Sequence, residues 1–187
     1  MPFAPPGVNP RGLQSNQIWQ IDVVFISSFG KQKYVHHTID TYSHFQWTTA
    51  LSSKKADSVI THLLFCFAIM GIPIELKTDN APVYQSSKLS QFLKQYHIKH
   101  TFGIPYNSQG QAITERANRT LQEYIQKIRK GEKGVISPRD VLNKTLLTVN
   151  FLNVWGKSKI TPAEQHLAIQ KRRQKALNIP RYGIRMK

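Results

Sequence analysis

The 187-residue sequence is poor in two things, cysteine and acid. Its single cysteine, Cys66, cannot form an internal disulfide and excludes zinc sites built on cysteine pairs. There is no apolar run long enough to span a bilayer and no signal-peptide pattern, so the expectation is a soluble, intracellular chain without a membrane partner. Only 10 Asp and Glu stand against 26 Lys and Arg, a formal charge of +16, which makes a polyanion the first partner to consider. The excess is uneven: residues 1–131 hold 14 basic and 7 acidic side chains, and residues 132–187 hold 12 and 3.

What is present is enough for one globular core, since 40% of residues are apolar and 10% aromatic. The opening "MPFAPPGVNPRG" is rich in proline and glycine and reads as a leader or linker over 1–16. Three β-branched and aromatic runs follow, at 18–26, 33–42 and 46–52, separated by Gly30 and the Ser43–His44 turn, and these predict an antiparallel meander. The pattern then alternates. A helix over 54–71 carries Val59, Leu63, Cys66, Phe67 and Met70 on one stripe, and a strand over 72–80 follows. A second helix near 87–96 and a strand over 98–106 come next. The long helix beyond Gly110 is succeeded by one further packing helix over 138–155. This order predicts an α/β fold, a five-stranded mixed sheet with flanking helices, its core at 17–156 and a basic tail at 157–187.

The scarce acids fall at telling places. Alternation sets Asp22 with Gln20 and Val24 on one face of the first strand; Asp79 ends the fourth strand, where α/β sheets commonly bind ligands. Glu115 lies in the first turns of the long helix, where free backbone N–H groups favour an anion. Two carboxylates about 4 Å apart repel by roughly 4 kcal/mol at an effective dielectric near 20, so three converging acids need protons or a cation. An all-oxygen set selects hard ions such as Mg²⁺ or Mn²⁺, and a pair of such ions suits in-line displacement at a phosphodiester. Each acid alone also has an ordinary reading, as a turn residue or a helix-dipole partner.

On the long helix, Gln111, Glu115, Asn118, Arg119 and Gln122 form a polar face, while Ala117, Leu121, Tyr124, Ile125 and Ile128 form the stripe expected to pack on the sheet. Asp40 is the rival carboxylate, with structural duty at a turn as its first reading. Cys66 reads as a core residue, and His97 and His100 as strand-edge residues. "KRRQK" at 171–175 is either a nuclear-import or DNA-contacting patch or a solvated surface.

Together, "WQID" (19–22), "KTDNAPVY" (77–84) and "GIPYNSQGQAITERANRT" (103–120) closely resemble the catalytic core of retroviral integrases, especially those of betaretroviruses and related endogenous elements. The 35 residues between Asp79 and Glu115 match that family's signature spacing. The resemblance implies a ribonuclease H-like fold in which Asp22, Asp79 and Glu115 are the catalytic residues and bind two Mg²⁺ (or Mn²⁺) ions. The implied reactions are 3′-end processing of viral DNA and strand transfer into target DNA. It also implies DNA contacts from Tyr106, Asn107, Gln111, Asn118, Arg119 and Gln122, and a homodimer or higher oligomer. The implied location is the nucleus, or the cytoplasm or virion within a polyprotein. Ala81 stands where glycine is common in that family, Val24 where threonine is, Ser108 where proline is, and Gln122 where lysine is. The alternative function, expected if that family's flanking zinc and β-barrel modules are missing, is a catalytically idle, integrase-derived nucleic-acid-binding or oligomerising module.

Overall fold

The computed structural model describes residues 11–103, 112–154 and 159–168. Strand β1 (Ile18–Phe25) is the central strand of a five-stranded sheet of order β3-β2-β1-β4-β5. It pairs antiparallel with β2 (Tyr34–Asp40), which pairs antiparallel with β3 (Gln46–Leu51), forming the expected meander. On its other side β1 runs parallel to β4 (Glu75–Thr78), and β4 parallel to β5 (Lys99–Phe102). The mixed sheet therefore changes from antiparallel to parallel at β1.

Four helices cover the two faces. Helices α1 (Ala56–Met70) and α2 (Ser87–Gln95) take one side, where Trp19, Ile21 and Leu76 pack with Val59, Leu63, Cys66, Met70, Leu89 and Leu93. Helices α3 (Ala112–Gly131) and α4 (Pro138–Leu147) take the other, where Val24 and Val35 meet Leu121, Ile125, Val141 and Leu142. The strand alternation read from the sequence thus divides β1 between two cores. Local chemistry sets the helix ends. The Ser86 hydroxyl accepts from Leu89 N–H at the start of α2, and Ser137 accepts from Asp140 N–H ahead of Pro138 in α4. Gly71 closes α1 at φ 92°, its N–H donating to Phe67 O.

Four expectations change in extent. The fourth strand begins only after Pro73, whose missing N–H cannot join a ladder, so β4 is shorter than 72–80. The fifth covers Lys99–Phe102 of the expected 98–106, of which 104–106 lie outside the described residues. A 3-10 segment, Ser27–Gln32, joins β1 to β2 around Gly30 at φ 60°, where only a break was read. The helix expected over 138–155 stops at Leu147 and continues as a π-helical turn, Thr148–Leu152, where the Thr148 hydroxyl bonds back to Lys144 O at 3.0 Å.

The packed unit also extends past the 17–156 span on both sides. Asn16 N–H donates to Asp40 Oδ2 and Asn16 Nδ2 to Met70 O, while Gly12 N–H donates to Thr41 Oγ1. Residues 162–168 are helical, with Ala163 and His166 buried, and His166 Nε2 sits 2.8 Å from the same Met70 carbonyl. Residues 171–175 lie outside the described residues. Among the described residues, no helix is long and apolar enough to cross a membrane.

Candidate active site

Asp22 sits in the middle of the central strand, half-buried on the face that α3 covers. The β1–β4 register pairs Gln20 with Lys77, so two residues further on Asp79 follows the end of β4 level with Asp22. Neighbouring strands lie about 4.8 Å apart, which brings the two acids to one edge through topology alone. The third acid arrives on α3. Gln20 Oε1 accepts from Thr114 N–H at 3.1 Å and from the Thr114 hydroxyl at 2.5 Å, pinning the first turn of α3 to β1 and bringing Glu115 within electrostatic reach of Asp22.

The three carboxylates differ in environment. Asp22 Oδ1 accepts from Val23 N–H at 2.7 Å and Oδ2 from Asn118 Nδ2 at 2.7 Å. Burial raises its carboxyl above the usual carboxylate range; the two hydrogen bonds oppose that, and the charges of Asp79 and Glu115 push it further up. Asp79 is exposed, its Oδ1 accepting from Ala81 N–H at 2.9 Å, and Glu115 is exposed on its helix. Among the described residues, no group of three or more His, Cys, Asp or Glu side chains is placed, as it stands, to hold a metal ion. The acids are electrostatically coupled, and their all-oxygen chemistry with like-charge repulsion at Asp22 fits a hard divalent cation.

The other expected site residues fall in three groups. Tyr106, Asn107 and Gln111 lie outside the described residues. Arg119 and Gln122 are exposed on α3 as the polar face predicts. Asn118 departs from it: only 9% exposed, it places Oδ1 2.6 Å from His37 Nδ1 and Nδ2 against Asp22, so it faces the sheet rather than solvent. Its position one turn past Thr114 puts it on the inner stripe, which the helical count from Gln111 mis-assigned. Asp40 is fully buried, and its two oxygens accept from Asn16, Tyr42 and Ser43 N–H, the Ser43 hydroxyl and Trp19 Nε1. That is the structural duty expected of it. Cys66 is a fully buried core residue whose thiol burial pushes up.

Three residues near the acids carry no role in the sequence reading. Gln20 shares the Asp22 face, which alternation shows. Tyr84, within the quoted "KTDNAPVY", is 3% exposed, and its phenol is raised by burial and then by the charges of Asp22 and Asp79, which places it beside them. His37 is visible only through its cross-strand pairing with Asp22.

A family model described as "Integrase core domain" matches residues 12–108. This chain belongs to that family. The core is 52% identical over 157 residues to the Gag-Pro-Pol polyprotein of Simian retrovirus SRV-2, an alignment covering 82% of this chain and 9% of the polyprotein. The integrase core thus spans a small part of such relatives. It resembles a chain of a simian T-cell lymphotropic virus intasome solved in complex with PP2A regulatory subunit B56 gamma. That match has TM-score 0.76 and 28% identity, covering 95% of this chain and 59% of that one. The HTLV-2 integrase catalytic core domain, solved with magnesium in a trimeric form, matches with TM-score 0.73 and 28% identity, covering 83% of this chain and 99% of that one. The fold is therefore that of retroviral integrase catalytic cores, ribonuclease H-like.

Proposed function

We propose that this integrase core is a polynucleotidyl transferase dependent on divalent cations, which trims 3′ ends of viral DNA and joins the new ends to target DNA. One arrangement supports the reading: Asp22 on β1, Asp79 just past the end of β4 and Glu115 in the first turn of α3 lie within electrostatic reach, the charges of the last two adding to the upward push on the Asp22 carboxyl. These residues would hold two Mg²⁺ or Mn²⁺ ions, and the magnesium in the HTLV-2 core supports that choice. Bound there, the ions would supply charge stabilisation to the attacking and leaving oxygens of an in-line displacement. The chain's own part is to place and aim the ligands. Gln20 fixes the first turn of α3, and Asn118 orients one oxygen of Asp22.

On α3, Arg119 and Gln122 are exposed, and with Tyr106, Asn107 and Gln111 they make up the proposed DNA contacts, from which the buried Asn118 is withdrawn. The +16 charge favours binding through phosphates. The intasome and the trimeric core support assembly with DNA into a dimer or larger oligomer, and the proposed location is the nucleus.

The test is a disintegration assay in which a branched DNA is resolved with Mg²⁺ or Mn²⁺, comparing the wild type with Glu115→Gln. A product that needs the cation, reduced at least about 100-fold in the variant, is expected, since loss of one preorganised charge group commonly has that effect. No cation-dependent product from the wild type would overturn this proposal in favour of an idle DNA-binding or oligomerising module.

A further inference from the structure

His37 stands opposite Asp22 in the β1–β2 register and is fully buried. Its ring nitrogens meet amides: Nδ1 lies 2.6 Å from Asn118 Oδ1, and Nε2 lies 2.7 Å from Gln46 Oε1. Both neighbours are oxygens, so the two contacts together require two ring N–H groups and hence an imidazolium. A charged ring sealed from water, with amides rather than carboxylates at its nitrogens, is strongly disfavoured. One contact must therefore run the other way.

Asn118 is not free to turn. Its Nδ2 donates to Asp22 Oδ2, and a reversed amide would set oxygen against carboxylate. Gln46 is free to turn, because its Nε2 is buried and without a partner. With the Gln46 amide reversed, that nitrogen donates to His37 Nε2. The unpartnered Gln46 nitrogen asks for an acceptor at Nε2, which is what a ring protonated at Nδ1 offers.

We infer that His37 is a positioning residue, the middle of a one-way hydrogen-bond chain from Gln46 through His37 and Asn118 to Asp22. Its Nδ1–H holds the Asn118 oxygen, so that the Asn118 N–H group faces Asp22 and fixes the carboxylate's orientation. Without this hold the Asn118 amide is anchored at its nitrogen alone, and its grip on Asp22 loosens. Outer-shell partners of this kind typically change metal affinity 10- to 100-fold. The inference rests on the proposed role of Asp22 as a cation ligand.

Two measurements test it. Nitrogen-15 NMR of the histidine rings in the wild-type chain at neutral pH should show His37 protonated at Nδ1 and bare at Nε2; an Nε2–H tautomer or an imidazolium overturns the chain. Titration of free Mn²⁺ by electron paramagnetic resonance should show His37→Phe binding about 10- to 100-fold more weakly. His37→Asn, whose amide can donate near the Nδ1 position, should remain near wild type. Unchanged Mn²⁺ binding in a folded H37F overturns the positioning role alone. Absence of Mn²⁺ binding by the wild type, with the Nδ1–H tautomer present, overturns the ligand role of Asp22 and the positioning role with it. The tautomer measurement needs no variant, so it stays decisive if H37F fails to fold.

Discussion

At Asp22, two hydrogen-bond donors favour the ionised carboxylate, while burial and the charges of Asp79 and Glu115 oppose it more strongly. A carboxyl whose folded-state pKa is raised contributes its full stability only below the unfolded value, and loses it as pH rises through the folded one. Without divalent cation, ionised Asp22 therefore weakens the fold at pH 7. Asp22→Asn removes the charge and keeps an oxygen for Asn118, so calorimetry in chelator should find a higher Tm at pH 7 than for wild type. Added Mn²⁺ should then stabilise the variant less than the wild type. A lower Tm for D22N in chelator would show that the donors at Val23 and Asn118 outweigh burial. The acids themselves were legible in the sequence, from strand alternation, a strand end and a helix start. His37 was not, because its importance arises from a partner 81 residues away on α3 that no local window contains.

Helix α3 is the element that connects fold to site. Its inner stripe of Ala117, Leu121 and Ile125 is buried against the sheet, and its first turn is tied down through Thr114. Leu121 is fully buried with Val24 and Val35, so Leu121→Ala should destabilise by about 2–5 kcal/mol, read from the urea midpoint with m unchanged. Exposed Gln122→Ala, one residue along, should stay within about 0.5 kcal/mol of wild type. Helix existence was readable from periodicity and from Gly71 and Pro138. Boundaries and facing were less so. Pro73 and the back-bonding Thr148 trimmed two elements, and Asn118 reads as polar surface because the sequence does not reveal a buried polar partner waiting on β2.

On the scale of the whole molecule, the buried histidines set the response to acid. His36, His37 and His62 all have their pKa lowered, first by burial, and His44 is brought down to about 4 by burial and by Arg11. Rings kept neutral by the fold bind protons more readily once unfolded, so stability is fully present above about 6.5 and falls as pH drops towards 4. Urea midpoints between pH 7 and pH 4.5 should fall steadily. His44→Asn, a residue that tolerates its φ of 61°, should flatten part of that slope. The meander and the mixed sheet with helices on its faces followed from strand and helix alternation, whereas the strand order is set by long-range pairing of β1 with β4. The anchoring of Asn16 and His166 did not, since contacts 54 and 96 residues away from Met70 leave no trace in local composition.

Those two anchors converge on the Met70 carbonyl, near the entry of β1 rather than at its acidic midpoint. Two segments 150 residues apart, at Asn16 and at His166, thus meet at one carbonyl. A pull applied at Asn16 and His166 would load the C-terminal end of α1, where both side chains hold the Met70 carbonyl. A crosslink between the segments at Asn16 and His166 would fasten the fold at the start of β1 and leave Asp22, further along that strand, where it stands.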